Sequence, residues 1–127
     1  MSNTTTVKSK LAKKVLVVED EGEIALVLNM ILTERKFDMD YVHNLLSADE
    51  YLEKQQPAVV ILDNKLPDGF GVDFISYIKK KYPSIKIIMI SGFASARDVA
   101  LTNGADLFFE KPFSLEEFDE ALNKLLQ

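Results

Sequence analysis

Hydrophobic residues in this chain fall into short unbroken runs, separated by longer stretches in which they recur every three or four positions. Val15-Leu16-Val17-Val18 is the first run, a β-branched block of the kind buried on both faces of a sheet. Ile24, Val27, Leu28 and Ile31 then keep helical spacing and predict a helix ending near Lys36. Met39 to Val42 predicts a weaker strand with polar flanks. Ser47-Ala-Asp-Glu50 has the capping-box pattern, which predicts a short helix opening at Ser47 and running through Leu52. Val59-Val60-Ile61-Leu62 is the second buried run, and Phe74, Ile75 and Ile78 mark a helix from near Gly71 to just before Pro83. Ile85 to Ile90 is a third apolar strand. Ser95 to Asn103 reads as a short helix stopped by Gly104, which tolerates left-handed backbone angles. Leu107-Phe108-Phe109 is the last strand. Ser114-Leu-Glu-Glu117 is a second capping box, and Leu115, Phe118, Leu122 and Leu125 give the final helix its apolar stripe.

Five β-α units in regular alternation predict an α/β fold, a parallel sheet with right-handed crossovers and helices on both faces. The flavodoxin-like strand order 2-1-3-4-5 places ligands beyond the carboxyl ends of the strands. Composition agrees with one globular domain: 127 residues, 47% hydrophobic and 28% charged. A formal net charge of −5 disfavours direct nucleic-acid binding, which rewards clustered positive charge. No apolar stretch approaches the roughly 20 residues that span a bilayer, so no membrane role is expected. Met1 to Lys14 is rich in Ser, Thr and Lys without the apolar centre of a signal peptide. Residues 1–12 read as a disordered leader, 13–127 as the domain, and the chain as cytoplasmic. Zero cysteines exclude disulfides, thiolate catalysis and Cys-based zinc sites, but leave the redox compartment open.

The chemistry gathers at one sheet edge. Strand one runs into Glu19-Asp20-Glu21, strand three into Asp63, strand four into Ser91-Gly92 and strand five into Lys111-Pro112. In the expected order these four strands are adjacent and about 4.8 Å apart, so the acidic pair and Asp63 meet. Lys111 starts two strands from Asp63, roughly 10 Å away, a gap that a long lysine and a bound phosphoryl group close together. Three crowded carboxylates repel one another unless a cation intervenes. Magnesium is the natural choice and manganese a second, because the donors are all oxygen. With that charge absorbed, Asp63 can attack an electrophilic phosphorus and form an acyl phosphate, while Ser91 and Lys111 donate to the equatorial oxygens.

These residues resemble the receiver domains of two-component response regulators, from about Lys14 to Leu126. The matching segments are Val17-Val18-Glu19-Asp20-Glu21, Leu62-Asp63-Asn-Lys-Leu66-Pro67-Asp-Gly69, Ile90-Ser91-Gly92, and Gly104-Ala105-Asp106 through Lys111-Pro112-Phe113. The resemblance implies that Asp63 takes a phosphoryl group from a phosphohistidine on a sensor histidine kinase or phosphotransfer protein. It implies that Asp20 and Asp63 ligate magnesium directly, Glu19 through water, and Lys65 through its backbone carbonyl. It makes Ser91 the switch hydroxyl, with Gly92 beside it, Phe108 the switch aromatic, Lys111 the phosphate's partner, and Lys111–Pro112 a cis peptide. An unknown downstream protein partner is expected to read the altered surface of a receiver-only chain, itself a monomer or a phosphorylation-dependent homodimer. Three departures mark this chain: Glu19 where Asp is common, Phe108 where tyrosine is frequent, and a slightly short stretch from Ser91 to Gly104.

Plainer readings stand beside these. An Asp after a strand is usually a turn or cap residue, and Glu19-Asp20-Glu21 alone suits a helix start. Ser91 alone is a loop serine, Lys111 alone a surface lysine, and His43 a surface histidine. Phe109 and Phe113 read as core, whereas Phe108 divides evenly between core and switch. An alternative function is a phosphorylation-independent interaction module. Another is a magnesium phosphohydrolase, which usually needs a further acid where this chain has Lys65.

Overall fold

The structure, a computed structural model, describes residues 13–126; the expected leader lies outside the described residues. Five strands, β1 (Lys14–Val18), β2 (Asp38–Val42), β3 (Val59–Asp63), β4 (Lys86–Ser91) and β5 (Leu107–Glu110), form one parallel sheet in the order β2-β1-β3-β4-β5. Helices α1 (Gly22–Glu34), α2 (Leu45–Lys54), α3 (Gly71–Lys81), α4 (Ala96–Thr102) and α5 (Leu115–Leu125) follow strands one to five in turn. This is the flavodoxin-like α/β fold. A small antiparallel hairpin, Lys65–Leu66 against Gly69–Phe70, lies between β3 and α3.

Alternation along the strands divides the core in two. Leu16, Val18, Val60, Leu62 and Met89 pack with Leu52, Ile75, Ile78 and Ala100 of α2, α3 and α4. Val15, Val17, Ile61, Ile88 and Ile90 pack with Leu28, Leu32, Phe118 and Leu122 of α1 and α5. β1 and β3 are buried on both faces, which is why they read as unbroken apolar runs. Phe109, Phe113 and Phe118 add a tilted aromatic cluster on the α5 side, with centroids 5.2 to 5.7 Å apart.

The start of α2 corrects the expected capping box. The helix begins at Leu45, and its N-cap is Asn44, whose side-chain oxygen accepts from the Ser47 amide at 2.8 Å. Asp68, from the hairpin turn, accepts from the Leu45 and Leu46 amides at 2.9 and 3.0 Å. A side chain from 22 residues away thus supplies part of the cap, which no local pattern records. The second box is met at its first half: Ser114 accepts from the Glu117 amide at 3.3 Å. The short α4 ends at Thr102, and Gly104 two residues on takes a φ of +115° that favours glycine; an added Cβ would also press on Lys79 Cγ at 2.9 Å. Among the described residues, no helix is long and apolar enough to cross a membrane.

Candidate functional site

Each site residue is placed by the strand that precedes it. The Glu19 amide still donates to the Val42 carbonyl at 3.1 Å, so Glu19 remains on the sheet edge, with its side chain fully buried. Its Oε1 accepts from the Glu21 amide at 3.1 Å, closing the turn into α1. Asp20, between them, is exposed. Asp63 is the last residue of β3, 4% exposed, and sits opposite Ile90. The next residue, Asn64, fixes the departing chain: its amide donates to the Ile90 carbonyl and its Oδ1 accepts from the Val72 amide. Gly71 lets α3 start against this turn, because an added Cβ would collide with the Asp63 carbonyl oxygen. Ser91 ends β4, 1% exposed, and its hydroxyl accepts from the Phe93 amide at 3.1 Å. The Lys111 amide donates to the Ser91 carbonyl at 2.8 Å, and the Lys111–Pro112 peptide is cis.

Lys111 spans the strand gap by itself. Its Nζ lies 3.0 Å from Asp63 Oδ1, and 3.3 Å from both Glu19 Oε2 and Glu21 Oε2. Carboxylate oxygens of Glu19, Asp20 and Asp63 all lie within 4.8 Å of one another. Three acids thus face a single ammonium, with Asp20 close beside two of them. Burial, and then the Asp63 charge, push the Glu19 carboxyl up to about 7. Burial also raises Asp63, against the pull of Lys111. Burial works against the Lys111 ammonium, yet Asp63, Glu19 and Glu21 hold its pKa above the ordinary lysine value.

The donor set fits a hard divalent cation. Only oxygens converge here, and Glu19 Oε2 is buried with no hydrogen-bond donor, since Lys111 is at ion-pair distance but misaligned. A cation, directly or through its water, would satisfy that oxygen and relieve the repulsion among the three acids.

Asp20, Asp63, Lys65, Ser91, Gly92 and Lys111 border one cleft of about 410 Å³, with Glu19 buried beneath it. Lys65 is exposed at the start of the hairpin. Phe108 is not part of this cleft: it is 9% exposed within the core under α4, with the Arg97 guanidinium 5.9 Å from its ring centroid. His43 is exposed and tilts against Tyr41. Sequence reasoning missed three participants. Glu21 pairs with Lys111, Asn64 caps α3, and Asp68 caps α2. Glu21 was legible only as a third acid after the strand; Asn64 and Asp68 act through contacts that spacing does not reveal.

An acid-lined cleft with one lysine in it thus lies at the carboxyl edge of a doubly wound sheet, where open α/β folds bind their ligands. The chain belongs to the response regulator receiver domain family, whose family model matches residues 15–123. It is 30% identical over 116 residues to the transcriptional regulatory protein TctD of Salmonella typhimurium, covering 90% of this chain and 52% of that one. The chain therefore spans about half the length of that curated relative. Among solved structures, it resembles the beryllofluoride-activated NtrC4 receiver domain dimer at TM-score 0.82 and 36% identity, covering 87% and 93% of the two chains. It also resembles the response regulator TrrA of Thermotoga maritima in complex with Mg2+ and BeF, at TM-score 0.81 and 31% identity, covering 89% and 98%. Receiver domains are signalling domains that interact with kinases or phosphotransfer proteins.

Proposed function

We propose that Asp63 is the phosphoryl acceptor of a phosphorelay, charged by a phosphohistidine on a histidine kinase or phosphotransfer protein. The observation that carries this reading is Lys111 Nζ at 3.0 Å from Asp63 Oδ1, inside a carboxylate cluster that holds more acid than one lysine can neutralise. An Asp63 oxygen attacks the phosphorus, the P–N bond breaks, and its electron pair returns to the imidazole nitrogen. Lys111 donates to the equatorial oxygens as charge shifts onto them, and Ser91, at the end of the adjacent strand, supplies a hydroxyl. Asp20, Asp63 and the Lys65 carbonyl would hold Mg2+, or Mn2+, with Glu19 acting through water. When bound, the ion neutralises the acids and draws charge from the phosphoryl oxygens. Ser91, Gly92 and Phe108 then carry the change to a partner-binding surface. TrrA with Mg2+ and BeF supports the ion by analogy.

An apolar groove of about 500 Å³ beside the cleft, formed by Val27, Leu28, Pro112 and Leu115 among others, supports a protein donor. The domain, residues 13–127, acts in the cytoplasm as a monomer or a phosphorylation-dependent homodimer, and the activated NtrC4 dimer is the analogy for the second form. It catalyses only its own phosphorylation and dephosphorylation. Incubation with Mg2+ and a small acyl-phosphate donor should yield one phosphoryl adduct by intact mass. No adduct, or one that survives Asp63→Asn, would sink the reading. Multiple turnover of phosphate esters would favour a hydrolase instead.

A further inference from the structure

Glu21 occupies the N-cap position of α1, with φ −96° and ψ 108°, yet its side chain makes no cap hydrogen bond. Its carboxylate turns to Lys111 instead, at 3.3 Å, although the side chain is 61% exposed. Glu21 and Lys111 are also the two residues that line both the acidic cleft and the apolar groove, so their ion pair forms the wall between them.

A lysine ammonium has three N–H donors; Lys111 donates to Glu21 Oε2 at 3.3 Å, while Asp63 and Glu19 stand at ion-pair distance. A phosphoryl group on Asp63 brings further negative charge and needs one of those donors. Glu19 is buried and held at Oε1 by the Glu21 amide, so it stays in place. Glu21 is the exposed partner, the one that solvent can receive.

We propose that Glu21 is a positioning residue that competes with the phosphoryl group for Lys111 and so sets how tightly the site holds a phosphoryl-like anion. This rests on Asp63 being the acceptor. Before charging, Glu21 holds Lys111 toward the groove side of the cleft. After charging, Lys111 turns to the phosphoryl oxygens, and Glu21 is released into water at the helix N-terminus, where its charge is still favoured.

The test measures beryllofluoride binding in the presence of Mg2+ by titration calorimetry, on the wild type, Glu21→Gln, Glu21→Asp and Glu23→Gln. Glu21→Asp keeps the charge but shortens the arm, and Glu23→Gln removes a nearby exposed acid that does not touch Lys111. Both Glu21 variants should bind about two- to fivefold more tightly, the range of an exposed ion pair, while Glu23→Gln stays within about twofold. Unchanged or weaker binding in Glu21→Gln overturns the proposal. So does equal tightening in Glu21→Gln and Glu23→Gln, or a Glu21→Asp that matches the wild type, because either assigns the effect to general charge. A wild type that binds no beryllofluoride would sink the acceptor reading and this proposal together; a binding wild type with an indifferent Glu21 sinks the proposal alone.

Discussion

Two lysine–acid clusters lie at opposite edges of the same sheet. At the amino edge, Lys79 Nζ pairs with Asp106 at 2.9 Å and donates to the Ile85 carbonyl at 2.7 Å. Asp106 Oδ2 also accepts from the Ile87 amide at 2.8 Å. One cation meets one anion, and backbone partners complete the network, as buried polar groups require. At the carboxyl edge, Lys111 faces Glu19, Asp63 and Glu21 while Asp20 crowds the same oxygens, and a buried Glu19 oxygen has no donor. The first cluster is complete within the chain and holds α3 to the sheet. The second gathers more acid than its one lysine can pair, a donor set that fits a cation. Crowded like charge in a cleft is where perturbed, functional acids tend to cluster, whereas a closed pair is satisfied within the fold.

The largest expected contrast is between Asp63→Asn and Asp106→Asn. Asp63→Asn should abolish adduct formation with Mg2+ and a small acyl phosphate, and should raise the melting temperature of the metal-free protein by removing one repelling charge. Asp106→Asn should form adduct at the wild-type level while losing about 1.5–3 kcal/mol in denaturant unfolding, the usual range for hydrogen bonds to charged groups. Comparable loss of adduct in both variants would break the comparison.

The lysines should separate in the same way. Lys79→Met should cost about 1–3 kcal/mol by urea melts, with or without Mg2+. Lys111→Met should slow adduct formation by about 10²-fold, within the range seen when a charge-stabilising donor is removed from a reacting centre. It should also tighten Mg2+ binding, read by calorimetry, because the competing cation is gone. Weaker Mg2+ binding in Lys111→Met would mean that the lysine organises the cation site rather than competing in it.

A pH series tests the incomplete cluster from another side. Burial lifts the folded Glu19 carboxyl to about 7, well above the ordinary glutamate range. The folded state therefore binds the extra proton, and metal-free stability should fall as pH rises through that window, in the direction Asp63 reinforces. Mg2+ needs the deprotonated acids, so its affinity should rise by up to about tenfold per pH unit below about pH 7 and level off above. Thermal melts with and without Mg2+ read both trends at once, and the gap between the curves should open with rising pH. Parallel curves would mean that Glu19 has no part in holding the cation.

Much of this was legible in the sequence, for a reason that also marks the limit. β1, β3 and β4 are buried on both faces, so their residues form unbroken apolar runs, and each run delivers its next polar residue to the edge. Chain order therefore exposed Glu19, Asp20, Asp63 and Ser91 together, whereas Lys111 follows β5, which is only partly buried and ends on Glu110. Partner choice within the site was not legible. That Lys111 takes Glu21 as well as Asp63 depends on side-chain directions across three elements. The α2 cap failed for the same reason: Ser47-Ala-Asp-Glu50 satisfies a local pattern, but Asn44 and the distant Asp68 reach the amides first.

Asp68 gives the smallest and most discriminating prediction. It lies five residues beyond Asp63, in the loop that leaves the site, and proximity alone would class it with the cleft acids. Its oxygens are instead occupied by the Leu45 and Leu46 amides, which hold its carboxyl below the usual range. If completeness rather than position separates structure from function, Asp68 belongs with Asp106. Asp68→Ala should then cost about 1 kcal/mol in urea unfolding, the ordinary value of a lost helix cap. Adduct formation at Asp63 should stay within about twofold of wild type, and Ser47→Ala should cost less than Asp68→Ala. A large loss of phosphorylation in Asp68→Ala, at unchanged stability, would show that the hairpin loop carries more than the cap, and the boundary drawn around the site would have to move outward to include it.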